Sequence, residues 1–160
     1  MADGGTSELI MLITGLLTAG IVASLLISSW GGLANSVNIT QIEVEADSKT
    51  RGALTSDPIN ISWNQTSCNL TLHIQNTGKI NLDIDYVGVI VNGSAASVNQ
   101  SQLLSNQTTW SAGEVAELHV CPAGIAMTSG QEIFVTIIVR SELFKGIRGQ
   151  YSFTEVIRLV

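Results

Sequence analysis

No Lys or Arg occurs before Lys49, and no ionisable side chain of either sign occurs between Glu8 and Glu43. Charged residues make up 12% of the 160-residue chain, about half the share usual in soluble domains. The 7 basic residues are scattered and outnumbered by 13 acidic ones, for a net charge of −6. No clustered cationic face therefore exists to neutralise phosphates, which excludes a nucleic-acid partner and disfavours anionic lipid headgroups. Aromatics are also few, at 5%, and only two cysteines are present. The length allows one membrane span and one modest domain, not two full domains.

What is present first is apolar. Residues 9–30 (LIMLITGLLTAGIVASLLISSW) are 22 consecutive uncharged positions. As a helix they span about 33 Å, enough for a bilayer core of about 30 Å. A cleaved signal peptide needs a basic front and a shorter apolar stretch. Residues 1–8 offer no basic side chain, so the segment is expected to stay as a single transmembrane helix behind a short tail. Asp3, Thr6 or Ser7 can cap it, and Glu8 suits the helix dipole. Trp30 sits where an interfacial anchor belongs, and Gly31-Gly32 opens an expected linker, 31–38. Gly15, Ala19 and Ala23 recur every four residues, as do Leu16, Gly20 and Ser24, a spacing that lets two such helices approach closely. With no basic residue on either flank, the positive-inside rule gives no orientation.

Two features place the remainder outside the cell. Asn-X-Ser/Thr acceptors for glycosylation occur at Asn38, Asn60, Asn64, Asn69, Asn92, Asn99 and Asn106, all after the span and none with Pro in the middle position. Ten Asn and 31 Ser plus Thr in 160 residues predict about two by chance. Asn and Ser also mark turns for their own reasons, the competing explanation. The second feature is the even cysteine count: Cys68 and Cys121 form a candidate disulfide.

From residue 39 the pattern has period two, and residues 39–160 are expected to form an extracytoplasmic β-sandwich. Expected strands are 39–46, with Ile42, Val44 and Ala46 on one face; 69–75, with Leu70, Leu72 and Ile74; and 82–91. Strands at 115–120, 132–140 and 149–159 complete the set, with a shorter one at 59–63. Asn76-Thr77-Gly78 ends one strand and Asn92-Gly93 marks a tight turn. The Ser-, Asn- and Gln-rich stretch 92–109 reads as a long exposed loop. The terminal strand, residues 150–160, is a candidate open edge for association, with an interior strand as the alternative.

Little in the chain offers chemistry. A metal site from Cys68, His73, His119 and Cys121 is the sharpest alternative to the disulfide, but its spacing is unlike that of a zinc finger and the parity of Cys68 and His73 is opposed. Asp83 and Asp85 share a face of their expected strand, as solvent-facing acidic residues commonly do. No phosphate loop, nucleophile elbow or His-Glu-X-X-His motif occurs. The expectation is a structural or binding protein, neither an enzyme nor dependent on a cofactor.

Three passages resemble the archaeal flagellar (archaellum) accessory proteins of the FlaG/FlaF type, FlaG more closely. They are the opening MADGGTSELIMLITGLLTAGIVASLL, the segment LTLHIQNTGKINLDIDYVGVIVNG, and the Trp-X-X-Gly-Glu loop from Trp110 to Glu114. The resemblance implies a membrane-anchored immunoglobulin-like domain beneath the surface layer, a static part (stator) of the rotary motor. Implied partners are further copies of the chain, a related FlaF-type accessory protein and surface-layer protein. A filament subunit, archaellin or archaeal type IV pilin-like, has the same helix-plus-β plan and is the alternative. Such subunits are processed after a basic residue that is missing ahead of this helix.

Overall fold

The computed structural model describes residues 4–122 and 124–160, so Asp3, one of the expected caps, lies outside the described residues. It begins with one helix, α1 (Gly4–Lys49), of 46 residues, about 69 Å long at 1.5 Å per residue. Thr6 and Ser7 fall inside the helix, in its first turn. Residues 9–30 are exposed throughout, and α1 is long and apolar enough to cross a membrane. The hydroxyls of Thr14 and Thr18 donate to the Ile10 and Thr14 carbonyls, so these two polar side chains are satisfied within the helix.

Two expectations are corrected here. The linker 31–38 and the strand 39–46 are both helical. Gly31 and Gly32 each cost only about 1 kcal/mol relative to Ala in a helix, too little to break one that is helical on both sides. In 39–46 a second period was hidden under the first. Ile42, Ala46 and Thr50 recur every four residues and turn inward, while Val44 stays 61% exposed. By internal packing the chain forms two compact units, Met1–Gln41 and Ile42–Val160, so the last two turns of α1 belong with the β domain.

That domain is an antiparallel β-sandwich. Its strands are β1 (Gly52–Leu54), β2 (Trp63–Asn64), β3 (Asn69–Asn76), β4 (Gly88–Val91), β5 (Ser94–Leu103), β6 (Val115–Cys121), β7 (Glu132–Phe144) and β8 (Ile147–Arg158). The hydrogen-bonded order is β1-β3-β6-β5-β4-β7-β8, with β2 also on β3. β5 links the two layers, pairing with β4 through residues 94–96 and with β6 from Ser97 onward. One layer turns Leu70, Leu72, Ile74, Leu118 and Val120 inward; the other turns Val89, Val91, Ile133, Val135, Ile137, Val139 and Ile157 inward, and these side chains form one core. Trp110 seals one end, its Nε1–H donating to the Glu114 carbonyl at 3.0 Å.

The expected loop 92–109 is corrected as well, because β5 occupies most of it. An extra residue at Asn99, a bulge, shifts the register against β6. Half-buried positions therefore change parity, from Ala96 and Val98 to Ser101 and Leu103, which erases a simple alternation. The expected strand 82–91 shortens to β4, preceded by a 3-10 turn, Ile84–Tyr86. Asp83 caps that turn by accepting from the Asp85 N–H, so the two carboxylates do not share a strand face.

Candidate functional site

The most elaborately built place in the β domain receives the end of α1. It starts with Asn76, fully buried at the end of β3. Its Nδ2 donates to the carbonyls of Ile80 and Trp110, both at 2.9 Å, and its Oδ1 accepts from the Gly78 N–H at 2.9 Å. A buried carboxamide so satisfied fixes the Asn-Thr-Gly turn, since any other arrangement would strand its polar atoms. The turn then presents two amides to the chain leaving the helix. Lys79 N–H donates to the Lys49 carbonyl at 2.8 Å and Thr77 N–H to the Arg51 carbonyl at 3.1 Å. The otherwise orphaned carbonyl at the helix terminus is thereby satisfied.

Glycine is required on two sides. A Cβ on Gly78 would lie 2.3 Å from the Lys49 carbonyl oxygen, and one on Gly149 in β8 would lie 2.5 Å from the Ala46 carbonyl oxygen. Ala46 and Thr50 are completely buried in the gap, with the Thr50 hydroxyl bonded back to the Ala46 carbonyl at 2.8 Å.

Charged groups ring this joint. Glu45 accepts from Lys145 Nζ at 2.7 Å and from Lys49 Nζ at 2.6 Å, and these two ammonium groups, Lys145 foremost, lower its carboxyl from 4.5 to about 2. Glu45 lies well beyond the apolar stretch that ends at Trp30. The Asp47 carboxylate accepts from the Gln150 N–H. Arg148 bonds Asp83, which raises the guanidinium pKa, and stacks over the Tyr86 ring at 4.5 Å. Arg51 lies over Tyr151 at 4.6 Å. Backbone bonds, close glycine contacts and ion pairs together hold residues 45–51 against the turn at Asn76 and the start of β8.

The expected site residues are spread over the domain. Cys68 and Cys121 form a disulfide with Cα atoms 5.1 Å apart. His73 Nδ1 lies 3.1 Å from Ser56 Oγ, and His119 Nδ1 lies 3.1 Å from Asn69 Nδ2, so the two histidines serve separate hydrogen bonds. Among the described residues no group of three or more His, Cys, Asp or Glu is placed to hold a metal. Of the acceptor asparagines, Asn38, Asn60, Asn64, Asn92, Asn99 and Asn106 are exposed, Asn38 on α1 and the rest at turns, strand ends or the bulge. Asn69 differs in being half-buried, at the start of β3 with its carboxamide against His119, while Asn64 Oδ1 accepts from the Thr66 and Ser67 N–H groups and Asn92 Oδ1 from the Phe134 N–H. Sequence reading missed Glu45, Asp47, Lys145, Arg148 and Gly149. The four-residue spacing of Ile42, Ala46 and Thr50 was the available signal for the helical part.

Residues 2–149 match the archaeal-type flagellin family. A Methanocaldococcus jannaschii protein, named provisionally as flagella-related protein G, is 28% identical over 124 residues, covering 75% of this chain and 80% of that protein. Both findings agree with the FlaG-type resemblance carried by the opening segment, the Asn-Thr-Gly turn and the Trp110 loop. The family match takes in α1, the turn that receives its end and every strand through β7, and on that breadth the chain belongs to the archaeal-type flagellin family.

Proposed function

We propose that the chain is a static, membrane-anchored part of the archaellum motor, a stator component whose β domain lies outside the cell. There it associates with further copies, a FlaF-type accessory protein and surface-layer protein. The observation that carries this reading is the likeness to flagella-related protein G over 80% of that protein. Physical reasoning supports it. A lone helix in a fluid bilayer resists no torque, whereas a rigid domain joined to that helix and held by the envelope does. Seven acceptor sequences after the apolar stretch and a disulfide favour the exterior for the domain.

Bead-rotation measurements on cells deleted for this chain test the reading. Filaments should still assemble but transmit little or no steady rotation, and re-expression should restore it. Normal rotation in the deletion strain would overturn it.

A filament subunit is the second reading. It is favoured by the family match and by an unbroken helix about twice as long as a bilayer core requires. Deletion would then abolish the filament itself.

A further inference from the structure

The acceptor asparagines are alike in sequence but not in the fold. An Asn-X-Ser/Thr acceptor has to offer two side chains together, the carboxamide and the hydroxyl two residues on. Asn69-Leu70-Thr71 withholds both. Its Asn and Thr share one face of β3, while Leu70 between them is fully buried in the core. Asn69 Nδ2 and Oδ1 lie 3.1 and 3.2 Å from His119 Nδ1, and the Thr71 hydroxyl lies 3.4 Å from the same nitrogen. Thr71 and His119 are direct partners in the β3–β6 ladder, so this closure forms when the sheet does. Asn38-Ile39-Thr40 is closed in another way. On α1 two residues' separation is about 200° of rotation, which puts carboxamide and hydroxyl on opposite sides. The Thr40 hydroxyl is moreover bonded to the Ser36 carbonyl at 3.0 Å. Asn64-Gln65-Thr66 is the opposite case: all three residues are exposed where β2 turns into β3. Asn64 Oδ1 accepts from the Thr66 and Ser67 N–H groups at 3.0 and 3.2 Å, an Asx turn. Only the carboxamide oxygen is engaged. Among the described residues the Asn64 Nδ2 and the Thr66 hydroxyl have no partner. Cys68, at the end of the same turn, is bridged to Cys121 on β6 and fixes the turn in place.

We propose that the fold selects among these acceptors, so that Asn64 is glycosylated while Asn69 and Asn38 stay bare. The selection rests on the reading that the β domain lies outside the cell. The step is a substitution at the anomeric carbon of a glycan carried on a polyprenyl phosphate. Asn64 Nδ2 forms the new bond to that carbon. The bond from the carbon to the phosphate oxygen breaks, its electron pair leaves on that oxygen, and one Nδ2 proton passes to the released phosphate. The sugar would sit well away from the end of α1. β3 has 8 residues, so its start beside this turn is about 23 Å from Asn76, which receives the helix end. A glycan on Asn64 therefore caps the far end of the sandwich and leaves the charged groups around the joint uncovered.

Glycopeptide mass spectrometry of the full chain, purified from membranes of the cells that make it, tests the selection. Trypsin releases residues 52–79 as one peptide that holds Asn60, Asn64 and Asn69, and electron-transfer fragmentation assigns the glycan to one of them. Asn64 should be modified in most copies, and Asn69 and Asn38 in few or none. Asn64→Gln should remove that glycan without moving it to Asn69. A synthetic peptide of residues 66–74, free of the sheet, should be modified at Asn69 by solubilised membranes of the same cells. Asn69 filled as fully as Asn64, or Asn64 left bare, would overturn the selection. A peptide that stays unmodified would overturn the fold as its cause. Location is read separately, by labelling exposed Lys79 with a membrane-impermeant amine reagent on cells stripped of their surface layer. Label at Lys79 with Asn64 bare would overturn the selection alone. No label, with no glycan at any acceptor, would overturn the exterior reading beneath it.

Discussion

The Asp47 carboxylate, on the last turn of α1, accepts a 2.7 Å hydrogen bond from the backbone N–H of Gln150 in β8, 103 residues away in sequence. One side chain thus ties the helix to the sandwich and closes the edge of the last strand. Asp47→Ala frees that amide and removes a charge-assisted bond. A loss of about 1 kcal/mol is expected from urea unfolding of the full chain in detergent. An unchanged midpoint would show that water replaces the carboxylate without cost.

Gly78 and Gly149 hold the joint tight. Gly78→Ala and Gly149→Ala each place a methyl against a main-chain carbonyl that cannot move without shifting the helix end. Each is expected to destabilise the β domain by at least about 2 kcal/mol, read by denaturant midpoint. Gly113→Ala serves as a control, since its positive φ brings strain but its Cβ meets nothing.

Acid should loosen the same joint. A carboxyl whose folded pKa is depressed contributes stability that is fully present above its ordinary pKa and is lost as pH falls toward the folded one. For Glu45 that window runs from 4.5 down to about 2. The wild-type urea midpoint should fall more steeply across it than that of Glu45→Gln, and the difference should shrink in high salt because the group is partly exposed. Parallel profiles would remove the Lys145–Glu45–Lys49 cluster from the energetics.

The disulfide closes a long loop, Cys68 and Cys121 being 53 positions apart. Chain entropy assigns such a closure about 4 kcal/mol. Unfolded, unreduced protein should show no reactive thiol, and reduction should lower the denaturant midpoint accordingly. Two reactive thiols in unreduced protein would contradict the bridge.

The sequence revealed the sandwich where alternation was uninterrupted. Leu70, Leu72 and Ile74 show the inward face of β3 directly, and His73 sits on the opposite face as its parity requires. It concealed structure wherever two patterns overlapped. Ile42, Val44 and Ala46 fit a strand, but the helix buries Ala46, half-buries Ile42 and leaves Val44 outside, because the preceding turns were already helical and propagation is easier than nucleation. β5 was hidden by composition and by the bulge at Asn99, which moves its inward residues from even to odd numbers. The joint was least visible of all. Nothing local in Gly149 or Lys145 signals contact with residues about a hundred positions earlier. Only the Asn-Thr-Gly turn, half of that joint, carried a recognisable signature.

The composition of sheared, purified archaellum filaments discriminates a static anchor from a filament subunit most directly. Quantitative peptide mass spectrometry of filaments and membranes from the same cells should find this chain in the membrane fraction and at no more than trace amounts in the filament. Recovery of the chain as a major, repeating component of the filament would contradict the anchor and establish the subunit reading in its place.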